Sequence, residues 1–171
     1  MKAIVDTDYR DTSAQGACVV FQEWTDPAPA TTYRAVLESV AAYEPGSFYK
    51  RELPVLLNVL KQVAEPIDLI VVDGYVWLGE NRGGLGWHLY EALDRSTAVI
   101  GVAKTLFRGA EAIAQPVFRR KSRKPLWITA IGVELSEATY AINEMEGKYR
   151  IPTLIKWADT ACRLWESTDQ E

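Results

Sequence analysis

The sequence of 171 residues contains a single histidine, His88, and only two cysteines, Cys18 and Cys162. Neither cysteine belongs to a CxxC pair and no close Cys/His set exists, which argues against a zinc site. Each cysteine stands in an apolar pattern and is expected to be a small core residue. No apolar run reaches the ~20 residues needed to cross a bilayer. No basic stretch followed by an apolar run opens the chain, so no signal peptide is expected and the protein reads as cytoplasmic. Positive charge is not in excess either. Nineteen Lys and Arg against 23 Asp and Glu leave a net charge of −4, which disfavours a protein that coats nucleic acid. An enzyme acting on nucleic acid survives that exclusion, because acidic metal ligands lower the net charge while a local basic strip still meets phosphates. One such strip exists, Arg119, Arg120, Lys121, Arg123 and Lys124. It reads either as a solvated hairpin turn or as a loop touching a phosphate backbone.

What is present is the balance of an ordinary globule, 48% hydrophobic and 25% charged residues. That length and composition suit one domain over residues 1–171. Lys2 to Asp6 is a short apolar run ending in an acid, and Ala17 to Trp24 is a second β-rich run after a turn-like stretch. Thr31 to Leu37 returns as a third, giving an antiparallel meander. Leu53, Leu56, Leu57, Leu60 and Val63 have helical spacing, and Pro66 stops that helix. Ile67 to Val72 is almost continuously apolar and predicts a central strand covered on both faces. A helix over Gly83 to Leu93, a strand over Ala98 to Ala103 and a hairpin around the basic strip follow. Leu135 to Met145 predicts a helix capped by Gly147, and Pro152 opens the last one. The composite is α/β, with a mixed central sheet flanked by helices.

Two of the buried-type strands end in aspartate, Asp6 and Asp73. Strand ends are where open α/β sheets collect ligands. Neighbouring carboxylates repel and require a shared proton or a cation. An oxygen-only set favours Mg²⁺ or Mn²⁺. The bland alternative is a pair of ordinary strand-end caps. Glu52 follows a compact turn, Glu44-Pro45-Gly46, flanked by Tyr43, Phe48 and Tyr49, and is expected in the first turn of its helix.

With these residues in view, the chain resembles the endonuclease V family of deoxyinosine 3′-endonucleases from about Lys2 to Arg163. Asp6 with Tyr9, the Tyr43-Glu44-Pro45-Gly46 turn, Arg51-Glu52 with Pro54, Val71-Val72-Asp73-Gly74 and Ile100 to Lys104 match its motifs in order. Lys124 to Ile128, Tyr149 to Pro152 and Trp157-Ala158-Asp159 resemble its C-terminal part. The resemblance implies a ribonuclease H-like fold and magnesium, or manganese in its place, on Asp6, Glu52 and Asp73. It implies Lys104 near the scissile phosphate and a wedge of Tyr43 and Pro45 beside a base-holding pocket that includes Gly46 and Gly74. It also implies DNA, or RNA, containing inosine as partner.

Two departures stand out. The family's histidine six residues after the strand-end aspartate is Gly79 here, and its late glycine–histidine pair is Gly132-Val133. Trp77, Glu80 and Glu134 are the nearest substitutes in sequence, and His88 is expected to be structural. Three functions remain: an inosine-directed endonuclease, a non-cleaving relative that binds nucleic acid or a partner, and a nuclease for inosine RNA or branched DNA.

Overall fold

The computed structural model describes residues 1–42 and 44–165. Its centre is a seven-stranded mixed sheet in the order β3-β2-β1-β4-β7-β9-β8. Strands β1 (Lys2–Arg10), β2 (Ser13–Phe21) and β3 (Thr31–Leu37) form the expected meander. Strands β4 (Leu69–Asp73) and β7 (Ala98–Ala103) continue the sheet parallel to β1. β9 (Leu126–Ile131) runs antiparallel beside β7, with β8 (Gln115–Val117) at the edge. This is the ribonuclease H-like arrangement.

The parallel strands are apolar on both faces because both are covered. Ala3, Val5, Ile70, Val72 and Val99 point to one side, under α1 (Phe48–Leu60) and α2 (Leu85–Ala92). Ile4, Val71, Ile100 and Val102 point to the other, under α3 (Leu135–Glu144) and α4 (Thr153–Cys162). Cys18 and Cys162 are both buried and free, as expected. Among the described residues no helix is long and apolar enough to cross a membrane.

Several boundaries differ from the sequence reading, each for a physical reason. β2 begins at Ser13, so most of the stretch taken as a turn is strand. Gly16 suggested a loop, but it sits mid-strand because a Cβ there would lie 3.0 Å from the Val55 carbonyl of α1. β2 ends at Phe21, and Trp24 leaves the sheet to meet Phe21 edge-on with ring centroids 5.4 Å apart. α1 starts at Phe48, so Glu52 lies in its second turn, buried, rather than in the first. Trp77–Gly79 (β5) pairs with Arg82–Gly83 (β6) as a small hairpin, for which the sequence offered no element. The cap of α3 is Met145, not Gly147, and Pro152 caps α4 from outside instead of starting it.

Candidate active site

Parallel register builds the site. Val5 pairs with Val72 and Asp73 with Val102, so Asp6 lies level with the ends of β4 and β7, although it does not close its own strand as the apolar run suggested: β1 runs on to Arg10 against β2, whose partner residues continue to Ser13. Asp6, Asp73 and Lys104 therefore emerge side by side, and α1 delivers Glu52 to the same place: its Oε1 accepts from the Thr7 hydroxyl at 3.1 Å. The Thr7 amide donates to Asp6 at 2.8 Å, and Lys104 Nζ donates to Asp73 Oδ2 at 2.8 Å.

The electrostatics are those of acids lacking a counter-charge. Burial, reinforced by repulsion from Asp73, pushes the Asp6 carboxyl up to about 7. Burial again, with repulsion from Asp6 and Asp73, pushes Glu52 up to about 8. Glu52 Oε2 is buried and has no hydrogen-bond partner among the described residues. Lys104 keeps its proton more tightly than usual; burial works against it, but the hydrogen bond and charge of Asp73 outweigh that. Beside them the Arg51 guanidinium lies 4.1 Å over the Tyr9 ring, joining two of the motifs read from sequence.

Hard oxygen donors, mutual repulsion and a buried unpartnered carboxylate oxygen fit a divalent cation. The cage is not preassembled, however. Among the described residues no three Asp, Glu, His or Cys side chains are gathered closely enough to hold an ion, with Glu52 turned to Thr7 and Asp73 to Lys104.

Sequence reasoning gave no role to two neighbours. Asp159 of α4 adds to the charge that raises Asp6. Its signal was an acid bordering the apolar face Leu154, Ile155, Ala158, Ala161 and Cys162. Arg150 donates from Nη2 to the carbonyls of Lys104 and, at 2.6 Å, Pro125, pinning the end of β7 beside the start of β9. Such a tie between distant segments leaves no trace in local spacing.

A cleft of about 310 Å³ opens beside the acids, with Glu52, Asp73 and Gly74 in its wall and the rings of Phe48, Tyr49, Tyr75 and Phe107 around it. Gly46 also lines it, with φ at +81°. Pro45 is exposed in the adjacent turn, and Tyr43 lies outside the described residues. His88 does not line the cleft; it stacks on Tyr49 with centroids 3.4 Å apart, which supports a structural role. A second cleft of about 360 Å³ carries Lys104, Arg150, Lys156 and Asp159.

The substitutes for the two histidines do not reach the acids. At Gly79 a Cβ would come within 3.3 Å of the Gly109 carbonyl, a tight contact with the neighbouring backbone. The Trp77 indole donates to the Ala130 carbonyl at 3.2 Å, and Glu80 is exposed at the hairpin tip. Glu134 caps α3 beyond Ile131, which pairs with Val99 at the opposite end of β7 from Lys104.

The sequence profile of the Endonuclease V family matches residues 2–160. The chain belongs to that family. Endonuclease V of Trichormus variabilis is 28% identical over 168 residues, covering 87% of this chain and 75% of its own. Endonuclease V of Nostoc sp. is 31% identical over 150 residues, covering 72% and 67%. The crystal structure of Endonuclease V from Streptomyces avermitilis superposes with a TM-score of 0.78 at 28% identity, covering 94% of this chain and 78% of that one. Ciona intestinalis Endonuclease V, solved with a 24mer DNA containing an inosine followed by a ribo-adenosine, shares the fold at TM-score 0.76 and 22% identity, covering 95% and 84%. Endonuclease V membership places the chain among nucleases.

Proposed function

We propose that this Endonuclease V family member is a metal-dependent endonuclease that cuts a phosphodiester 3′ to deoxyinosine, or to a related damaged base, in DNA. The observation that carries the reading is the meeting of Asp6, Glu52 and Asp73 at one sheet edge, two of them with carboxyls raised by burial and repulsion, beside an aromatic cleft. Asp6, Glu52 and Asp73 would hold magnesium, or manganese in its place, with Asp159 adjoining. Such an ion supplies Lewis-acid stabilisation of charge on the phosphate and activates water for attack.

The chain's own residues do the rest. Lys104 brings a cation to the scissile phosphate and sets the position of Asp73 through their ion pair. Thr7 orients two of the acids from successive donors, its amide to Asp6 and its hydroxyl to Glu52. Extruding a base costs a few kcal/mol, least for a poorly paired one such as hypoxanthine. The cleft of about 310 Å³ has the volume of a small-ligand pocket and rings for the base to stack on. Tyr43 and Pro45 would act as the wedge that holds the strands apart, with Gly46 and Gly74 offering backbone close to the base.

A second reading is a relative that binds nucleic acid or a partner with little or no cleavage. The tight approach of the Gly109 carbonyl at Gly79 and the lack of a preassembled cage among the described residues favour it. A nicking assay separates the two. Incubation of an inosine-containing duplex with Mg²⁺, with Mn²⁺ and with chelator should give metal-dependent cleavage on the lesion strand only. Binding without cleavage in either metal supports the second reading, and cleavage that survives Asp73→Ala removes the metal mechanism.

A further inference from the structure

The basic strip between β8 and β9 does not behave as a solvated turn. Arg119, its first member, is fully buried. Its guanidinium donates to the carbonyls of Met145, Tyr149 (2.8 Å) and Arg150 (3.1 Å). Arg120 adds Nε to the Gly147 carbonyl at 2.9 Å. Inside the turn the Ser122 amide donates to the Arg119 carbonyl at 3.1 Å, and the Ser122 hydroxyl to that of Lys124 at 2.9 Å. Burying a guanidinium is costly unless its donors are satisfied. Here that cost goes into holding a short turn rigidly against residues 145–150.

What the clamp holds out is positive charge. Lys121, Arg123 and Lys124 are exposed, Lys148 stands exposed on the clamped loop, and none of them takes an ion pair among the described residues. The nearby acids do not neutralise them: Glu146 accepts from the Thr153 hydroxyl, and Glu144 makes no ion pair among the described residues. Four cations without an ion pair among the described residues, Lys148 lying over the Tyr149 ring at 5.7 Å, are a local inversion of sign on a chain of net charge −4. The ridge also shares an edge with the acids. Ala103 pairs with Trp127, so the turn projects from the same end of the sheet as Asp73 and Lys104, and Arg150 ties the two through the Lys104 and Pro125 carbonyls. From β4 to β9 is two strand spacings, about 10 Å, or about three base-pair steps at ~3.4 Å each.

We propose that Lys121, Arg123 and Lys124, with Lys148, form a rigid phosphate-contact ridge that grips the backbone of duplex nucleic acid about three to five base pairs from the acidic centre. The ridge needs only the partner named under the proposed function, a duplex, and not the cleavage. It contributes sequence-independent affinity and register, because phosphate contacts carry no base information.

The test is fluorescence anisotropy of the full chain on a labelled duplex, with and without one inosine, across a salt series. The triple variant Lys121→Gln, Arg123→Gln, Lys124→Gln is compared with Lys61→Gln, Arg95→Gln on the opposite edge. Thermal unfolding checks that both fold as the parent does. In the triple variant, binding weakens by the same factor on both duplexes, and the slope of log K against log salt becomes shallower by about 2 to 3, at about 0.9 per lost contact. The opposite-edge variant keeps the parent slope. A duplex that stops within about two base pairs of the lesion on the flank the ridge covers abolishes the difference between triple variant and parent. An unchanged slope overturns the proposal and leaves the ridge to an acidic protein partner. A loss confined to the inosine duplex, or no duplex binding by the parent, overturns it as well. Parent protein that binds with the full slope but never cleaves leaves the ridge standing and removes the endonuclease reading.

Discussion

Asp6 and Glu52 are acids whose surroundings favour the proton, with carboxyls raised to about 7 and about 8. An acid whose folded value exceeds its unfolded one contributes stability below the unfolded value, and that contribution is lost as pH rises through the folded value. The metal-free protein should therefore show a falling melting temperature between about pH 4 and pH 8. Asp6→Asn, which removes one ionising group, should flatten that decline; an equally steep profile in the variant would place the titrating group elsewhere. Cleavage should run the other way, rising with pH, because the two carboxyls must lose their protons to hold the ion. Lys104→Ala should lower kcat by about 10² to 10³, the cost of losing one charged stabiliser of a developing negative charge, measured by single-turnover cleavage. These residues stood out in the sequence because Asp6 and Asp73 close apolar runs and Lys104 follows a third. Asp159, Arg150 and Arg119 did not, since each acts across segments far apart in the chain.

At the scale of elements, the site depends on how tightly β4, β7 and β9 are drawn together. Gly101 of β7 faces the Gly74 carbonyl, the Thr129 hydroxyl and the Val76 amide, each 2.7 Å from where a Cβ would stand. The Thr129 hydroxyl in turn accepts from that amide at 2.8 Å, fixing the chain just beyond Asp73. Gly101→Ala should cost about 1–3 kcal/mol of stability by overpacking, a fall of about 2–4 °C in melting temperature per kcal/mol. A variant that melts with the parent would show that the backbone yields there. The β3 and β7 boundaries followed from apolar runs and turns alone, β7 because two-sided burial writes itself into sequence as an unbroken apolar strand, whereas the order of strands in the sheet did not. The β5–β6 hairpin did not, because its Trp77, Leu78 and Gly79 show neither alternation nor a turn signal. Glu52 was placed one turn early in its helix, since the N-terminal turn of α1 is carried by Phe48, Tyr49 and Lys50, whose pattern gives no start signal.

On the scale of the whole molecule, opposite charges share one edge of the sheet, acids on β1 and at the end of β4 and a basic turn beyond β7. The net charge of −4 conceals that division. An ion bound only by the folded chain stabilises it by mass action, about 2.7 kcal/mol at a hundredfold excess over its dissociation constant. Saturating Mg²⁺ should thus raise the melting temperature of the parent and not of Asp6→Asn. The most direct measurement of the central claim is Mn²⁺ binding at equilibrium, followed by electron paramagnetic resonance on the parent chain and on Asp73→Asn at pH 8. Saturable binding by the parent, displaced by Mg²⁺ and weakened at least tenfold in Asp73→Asn, is the predicted result. No saturable binding, or equal affinity in the two chains, would contradict the account.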